Sequence, residues 1–204
     1  MPIHELYASF ALTCLAIELT PGPNMTYLAV LSAMHGRKAG FAAILGIGVG
    51  LMLIGIAAAL GAAAILSQSP ALYDALRWLG VGYMLWLAYD CWRANPTSAS
   101  PDRYAQARYF TRGLITNLLN PKAALFYIAV VPTFTNPKLA LLPQSFTLIG
   151  IYVSIATAIH IAIVLLGARA KPYLENERIA THTRYVFTAL MLLIAAWFAF
   201  STRS

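Results

Sequence analysis

From position 41 to 66 the chain runs for 26 residues without an ionisable side chain. About 20 helical residues cross the hydrocarbon core of a bilayer, and a stretch this apolar on every side has no polar face to turn toward water. Further apolar runs occupy residues 6–31, 72–92, 109–134, 145–168 and 185–202. The composition agrees. Of 204 residues, 60% are apolar and 10% charged, against about 45–50% and about 25% in soluble domains. So few charges cannot cover a soluble surface, which excludes an ordinary soluble enzyme, a disordered chain and a nucleic-acid binder. Backbone groups in lipid must pair internally, so the spans are helices or a closed barrel. The runs are continuous rather than ten-residue alternating segments, which excludes the barrel. The expectation is an all-α integral membrane protein of six transmembrane helices, with residues 1–204 forming a single domain.

The net charge of +7 follows this plan. Ten basic residues (Arg37, Lys38, Arg93, Arg103, Arg108, Arg112, Arg169, Lys171, Arg178 and Arg184) fall in the first, third and fifth connections. Arg77, Lys138 and Arg203 fall on the opposite side. The bias places the ten in the cytoplasm and both termini outside. Residues 1–5 lack a basic leader segment, so no cleavable signal peptide is expected. Cys14 and Cys91 lie in apolar stretches and form no C-x-x-C motif, which makes them packing residues.

Two of the six runs are interrupted. Thr20-Pro21-Gly22-Pro23-Asn24 breaks the first, and Asn117-Leu118-Leu119-Asn120-Pro121-Lys122 breaks the fourth. Each proline removes a backbone hydrogen bond and crowds the carbonyl four residues back. Each half of the chain therefore reads as one broken helix followed by two unbroken ones. An odd number of spans per half means that the halves enter the membrane from opposite sides, as in an inverted-topology repeat. The first repeat covers about residues 1–93, a linker about 94–108, and the second repeat about 109–204.

Unwound backbone at membrane depth is tolerated where it is buried or lines a cavity. Pro21, Gly22, Pro23, Asn24, Asn117, Asn120 and Pro121 are therefore candidate substrate-binding residues. The half-helix after each break points a partially positive N-terminus at that cavity, a ready place for a carboxylate. Glu18 and Lys122 are the clearly intramembrane charges, and such charges are expensive and usually functional or mutually paired. One reading is a structural Glu18–Lys122 ion pair. The other makes Glu18 a proton-titrating group or ammonium partner and Lys122 the partner of a carboxylate. Gly150, Ser154 and Thr157 share one face of the fifth helix, with His160 some 60° round, and form a possible pocket wall or a helix contact. Gly46 and Gly50 read as a close-packing pair rather than a nucleotide loop, since no strand precedes them. Trp86 falls mid-span, where it packs or lines the cavity.

These motifs are similar to those of the LysE/RhtB family of small bacterial amino-acid exporters, over essentially the whole chain. Thr20-Pro21-Gly22-Pro23-Asn24 resembles that family's N-terminal signature, and Gly40, Gly46 and Gly50 its glycine-spaced second helix. Gly82-Tyr83-Met84-Leu85-Trp86-Leu87 resembles the third-helix motif, with Ala88 where glycine is usual. Phe110, Gly113, Asn117, Asn120-Pro121-Lys122, Phe126, Pro132 and Phe134 resemble the fourth-helix signature, with Tyr127 in place of a frequent phenylalanine. The resemblance implies secondary active export of amino acids or close analogues across the bacterial inner membrane. It implies proton antiport, no cofactor or metal, no enzyme activity, and a homo-oligomer. Glu18 lies outside these motifs, so its role rests on burial alone. The alternatives are a small ion or metal exporter, for which intramembrane ligands are sparse, and a passive channel of the same architecture.

Overall fold

The computed structural model describes residues 3–62, 69–93, 104–136, 139–170 and 177–201. Those residues are helical throughout, with no strand among them. Most of the expected linker, the turn at 67–68 and part of the charged connection at 169–184 lie outside the described residues.

The first interrupted run forms α1 (Ile3–Glu18) and α2 (Pro23–His35). With 16 and 13 residues, neither is long enough to cross a bilayer alone. Gly36 turns the chain with φ 82°, a conformation open to glycine, into α3 (Arg37–Ala57). A π-helical turn at Ala58–Ala62 extends α3 and contains a kink at Gly61, φ 104°. Then come α4 (Pro70–Arg93), α5 (Ala105–Leu118) and the short α6 (Pro121–Leu125). From α6 the chain winds on through a π turn (Phe126–Val130) and a 3₁₀ turn (Val131–Phe134). The last helices are α7 (Leu141–Ala168) and α8 (Glu177–Ser201).

Two helices, Arg37–Gly61 and Leu141–Ala168, are long and apolar enough to cross a membrane on their own. Ala105–Leu118 and Pro121–Phe134 together make a third candidate, bent by 50° at the second break.

Two crossings organise the core. α3 packs most extensively on α5, and α7 lies across α1 and α2. α3 also touches α7, and α4 touches α8. Glycines set the closeness of these crossings. A Cβ at Gly46 would strike the Phe110 carbonyl, and one at Gly113 the Ala43 carbonyl, so α3 and α5 meet backbone to backbone. Gly50 leaves room for the Asn117 side chain. Elsewhere, Gly40 of α3 accommodates Val164 of α7, and Gly167 of α7 accommodates Ser32 of α2. Hydrocarbon tails compete with apolar side chains for contact, so close van der Waals packing through small residues is what holds such helices together. α4 is seated similarly: Gly80 faces the carbonyl of Leu119, directly beside the second break.

Candidate functional site: two helix breaks around a small cavity

The two breaks are built alike. α1 closes its last turn with Leu19 N donating to Leu15 O at 3.0 Å and Thr20 N to Ile17 O at 3.1 Å. Gly22 is extended, and Pro23 opens α2 at the position where a missing N–H is harmless. In the second break Asn120 is extended and Pro121 opens α6. The Asn120 side-chain oxygen accepts from Lys122 N at 3.1 Å, a capping bond for the new helix. Asn120→Ala should therefore cost about 1 kcal/mol of stability. It should lower the thermal unfolding midpoint of the detergent-solubilised protein, and an unchanged midpoint would show that the cap contributes nothing.

The first turns of α2 and α6 meet at a small, half-open cavity of about 10 Å³, room for about one water. Glu18, Gly22, Asn24, Asn120, Lys122 and Tyr152 line it, with Met25 and Ala123. Three hydrogen bonds tie distant parts of the chain together here. Lys122 Nζ donates to the Thr20 carbonyl at 2.9 Å. Asn24 Nδ2 donates to Asn117 Oδ1 at 2.8 Å. Tyr152 Oη donates to Glu18 Oε1 at 2.8 Å. His160 Nε2 lies 3.8 Å from Glu18 Oε2.

Each bond has a physical reason. α1 ends in carbonyls that no later turn of the helix can satisfy. Lys122 answers one of them with a cation, the charge that a helix C-terminus favours. Glu18 is buried at 6% exposure, where a bare carboxylate costs several kcal/mol. The Tyr152 hydroxyl offsets part of that cost. Its ring is stacked on Phe126 at a centroid distance of 3.8 Å and flanked edge-on by Tyr127, which fixes the hydroxyl's aim. Asn24 Oδ1 and Asn117 Nδ2, both buried, have no hydrogen-bond partner. Such atoms cost about 1–3 kcal/mol each when left unmade, and a bound polar solute can recover that.

Glu18, Gly22, Asn24, Asn120 and Lys122 thus converge on one cavity, with Asn117 bonded to Asn24 behind it. Glu18 and Lys122 do not pair directly: each has another hydrogen-bond partner. Pro23 and Pro121 are buried and border a second small pocket beside Gly80 and Thr116, whereas Pro21 is exposed. Ser154 is also exposed, and its hydroxyl donates to Gly150 O at 2.8 Å. Thr157 is half-buried. The buried face of α7 carries Tyr152, Ala156, His160 and Val164 instead. Trp86 is 44% exposed, stacked on Tyr83 with the Arg112 guanidinium 5.0 Å from its ring, so it does not line the cavity. Tyr152 and Gly80 were not singled out from the sequence. Tyr152 precedes His160 by two helical turns on the same face, the signal that a buried polar His160 offered.

The family model described as LysE type translocator matches residues 15–202. The chain belongs to the LysE type translocator family. It is a multi-pass membrane protein of a translocator class, which is not an enzyme class. Similar proteins include an uncharacterized membrane protein of Vibrio cholerae, 26% identical over 94% of this chain and 95% of its own length. Another is an uncharacterized membrane protein of Pseudomonas aeruginosa, 28% identical over 83% of each chain. A third, from Salmonella typhimurium, is named a homoserine/homoserine lactone efflux protein and is 25% identical over 96% of each chain. No solved structure matches the chain.

Proposed function

We propose that this protein exports amino acids or close analogues from the bacterial cytoplasm across the inner membrane, exchanging them for protons by alternating access. The observation that carries the reading is the meeting of two helix breaks, from opposite halves of the sequence, around buried Glu18 and half-buried Lys122. A zwitterionic substrate needs both signs of charge at one point. Its carboxylate faces Lys122, Asn120 and the N-terminus of α2, where backbone N–H groups favour an anion. Its ammonium faces Glu18. The name borne by the Salmonella relative supports an amino acid or its derivative as cargo.

Six spans in two inverted repeats complete the proposal. Exchanging the halves maps the packing of α3 on α5 onto that of α7 on α1 and α2, and maps α3·α7 and α4·α8 onto themselves. That interchange is what a pseudo-two-fold axis in the membrane plane produces. The cavity holds about one water, so seating a substrate requires the two breaks to move apart.

The cargo is tested by expressing the protein in a sensitive bacterium and challenging it with toxic concentrations of individual amino acids and analogues. Resistance to a narrow set, with faster efflux of that set, is expected; resistance to none would remove the export reading. Orientation is tested separately. A C-terminal reporter active only outside the cytoplasm should be active, and a reporter active only inside should be silent. The reverse pattern would invert the topology.

A further inference from the structure

We propose that His160 is the proton partner of Glu18, and that protons couple to transport through this buried pair rather than through Glu18 alone. The inference rests on the export reading above and deepens it. Tyr152 donates its only hydroxyl proton to Glu18 Oε1 and so leaves Oε2 free. Oε2 faces His160 Nε2 at 3.8 Å. That nitrogen is buried, on a residue 1% exposed, and has no hydrogen-bond partner. Two lone pairs that face one another in a low-dielectric interior repel unless a proton lies between them. A proton can reside on the carboxylate or on the imidazole, and it passes between them when the 3.8 Å separation shortens to hydrogen-bond length or a water bridges it.

The step is balanced within the pair. The O–H bond at Glu18 breaks as the N–H bond at His160 Nε2 forms, and acid plus neutral imidazole become carboxylate plus imidazolium with no change in total charge. The remaining titratable groups around the pair are Tyr152 on α7, Lys122 on α6, Cys14 one turn earlier on α1, and Tyr127 behind Tyr152. Lys122 is the one permanent cation among them, and its Nζ is held by the Thr20 carbonyl. One carboxylate cannot neutralise an imidazolium and an incoming ammonium together. Seating the substrate ammonium on Glu18 therefore expels the proton from His160, and one substrate exchanges for one proton. His160 is a coupling residue here and need not touch the substrate.

Proteoliposomes separate these roles. The probe is a ¹⁴C-labelled mixture of the protein amino acids with homoserine. Two readouts are compared: exchange of label against an internal unlabelled pool without a pH gradient, and accumulation driven by an acidic lumen. Wild-type protein should show both. His160→Gln should retain exchange within about two-fold and lose gradient-driven accumulation by ten-fold or more. Accumulation undiminished in His160→Gln overturns the assignment while leaving export intact. Loss of both readouts in His160→Gln and His160→Asn, in protein that elutes as folded, makes His160 structural and also overturns it. Wild-type exchange that ignores the gradient removes the antiport reading itself, and this assignment with it.

Discussion

Lys122→Met is expected to reduce efflux at least about 100-fold while leaving the protein in the membrane at near-normal levels. Three losses combine. The Thr20 carbonyl loses a charge-assisted donor, about 1.5–3 kcal/mol for such a bond. Glu18 loses the nearby positive charge of Lys122, which does not pair with it directly but acts on it through space. A substrate carboxylate loses its counter-charge. The last of these is felt in transport alone, and every 1.4 kcal/mol of it is about ten-fold in rate. Glu18→Gln should act on the other end of the substrate and give a loss of similar size. Efflux rates in cells expressing each variant, normalised to membrane protein, provide the measurement. Undiminished efflux in both would remove the two charges from the site.

Gly46→Val is expected to destabilise the folded protein by about 3 kcal/mol, the upper range for forcing atoms into a packed contact. The Phe110 carbonyl and Leu114 N occupy the space that a Cβ there needs. Both are backbone atoms and cannot rotate aside. α3 and α5 must separate along their whole crossing, and the many small dispersion contacts between them weaken together. Gly48 lies two residues on, about 160° round α3 from Gly46, with nothing within 4 Å of its Cβ position. Gly48→Ala should stay within about 0.5 kcal/mol of the parent. The paired measurement is the thermal midpoint and folded yield of the detergent-solubilised proteins. Equal behaviour of the two variants would show that the crossing tolerates separation.

Much of this arrangement is legible in the sequence, and the reason is proline. Pro21, Pro23 and Pro121 cannot continue a helix, so the breaks fall where the letters put them. Glu18 and Lys122 stand out because charge is scarce within the apolar runs. Their partners were not legible. The bonds from Lys122 to Thr20 and from Tyr152 to Glu18 span 102 and 134 residues of sequence. No local periodicity encodes which of eleven tyrosines meets the carboxylate. The face of α7 misled for a different reason. Ser154 satisfies its hydroxyl on the carbonyl one turn back, so it can face outward without an unmade hydrogen bond. Small polar residues on a helix therefore say less about a cavity than a histidine, which has no such local partner.

The bond from Lys122 to Thr20 has a consequence for the idle protein. It ties the first turn of α6 to the chain just after α1 through the protein's own ammonium group, beside a half-open cavity with room for about one water. On the proposed export reading, a carrier without cargo holds its site lysine on its own backbone. A cargo carboxylate then has to displace the Thr20 carbonyl before Lys122 can bind it, so the resting bond sets part of the cost of entry.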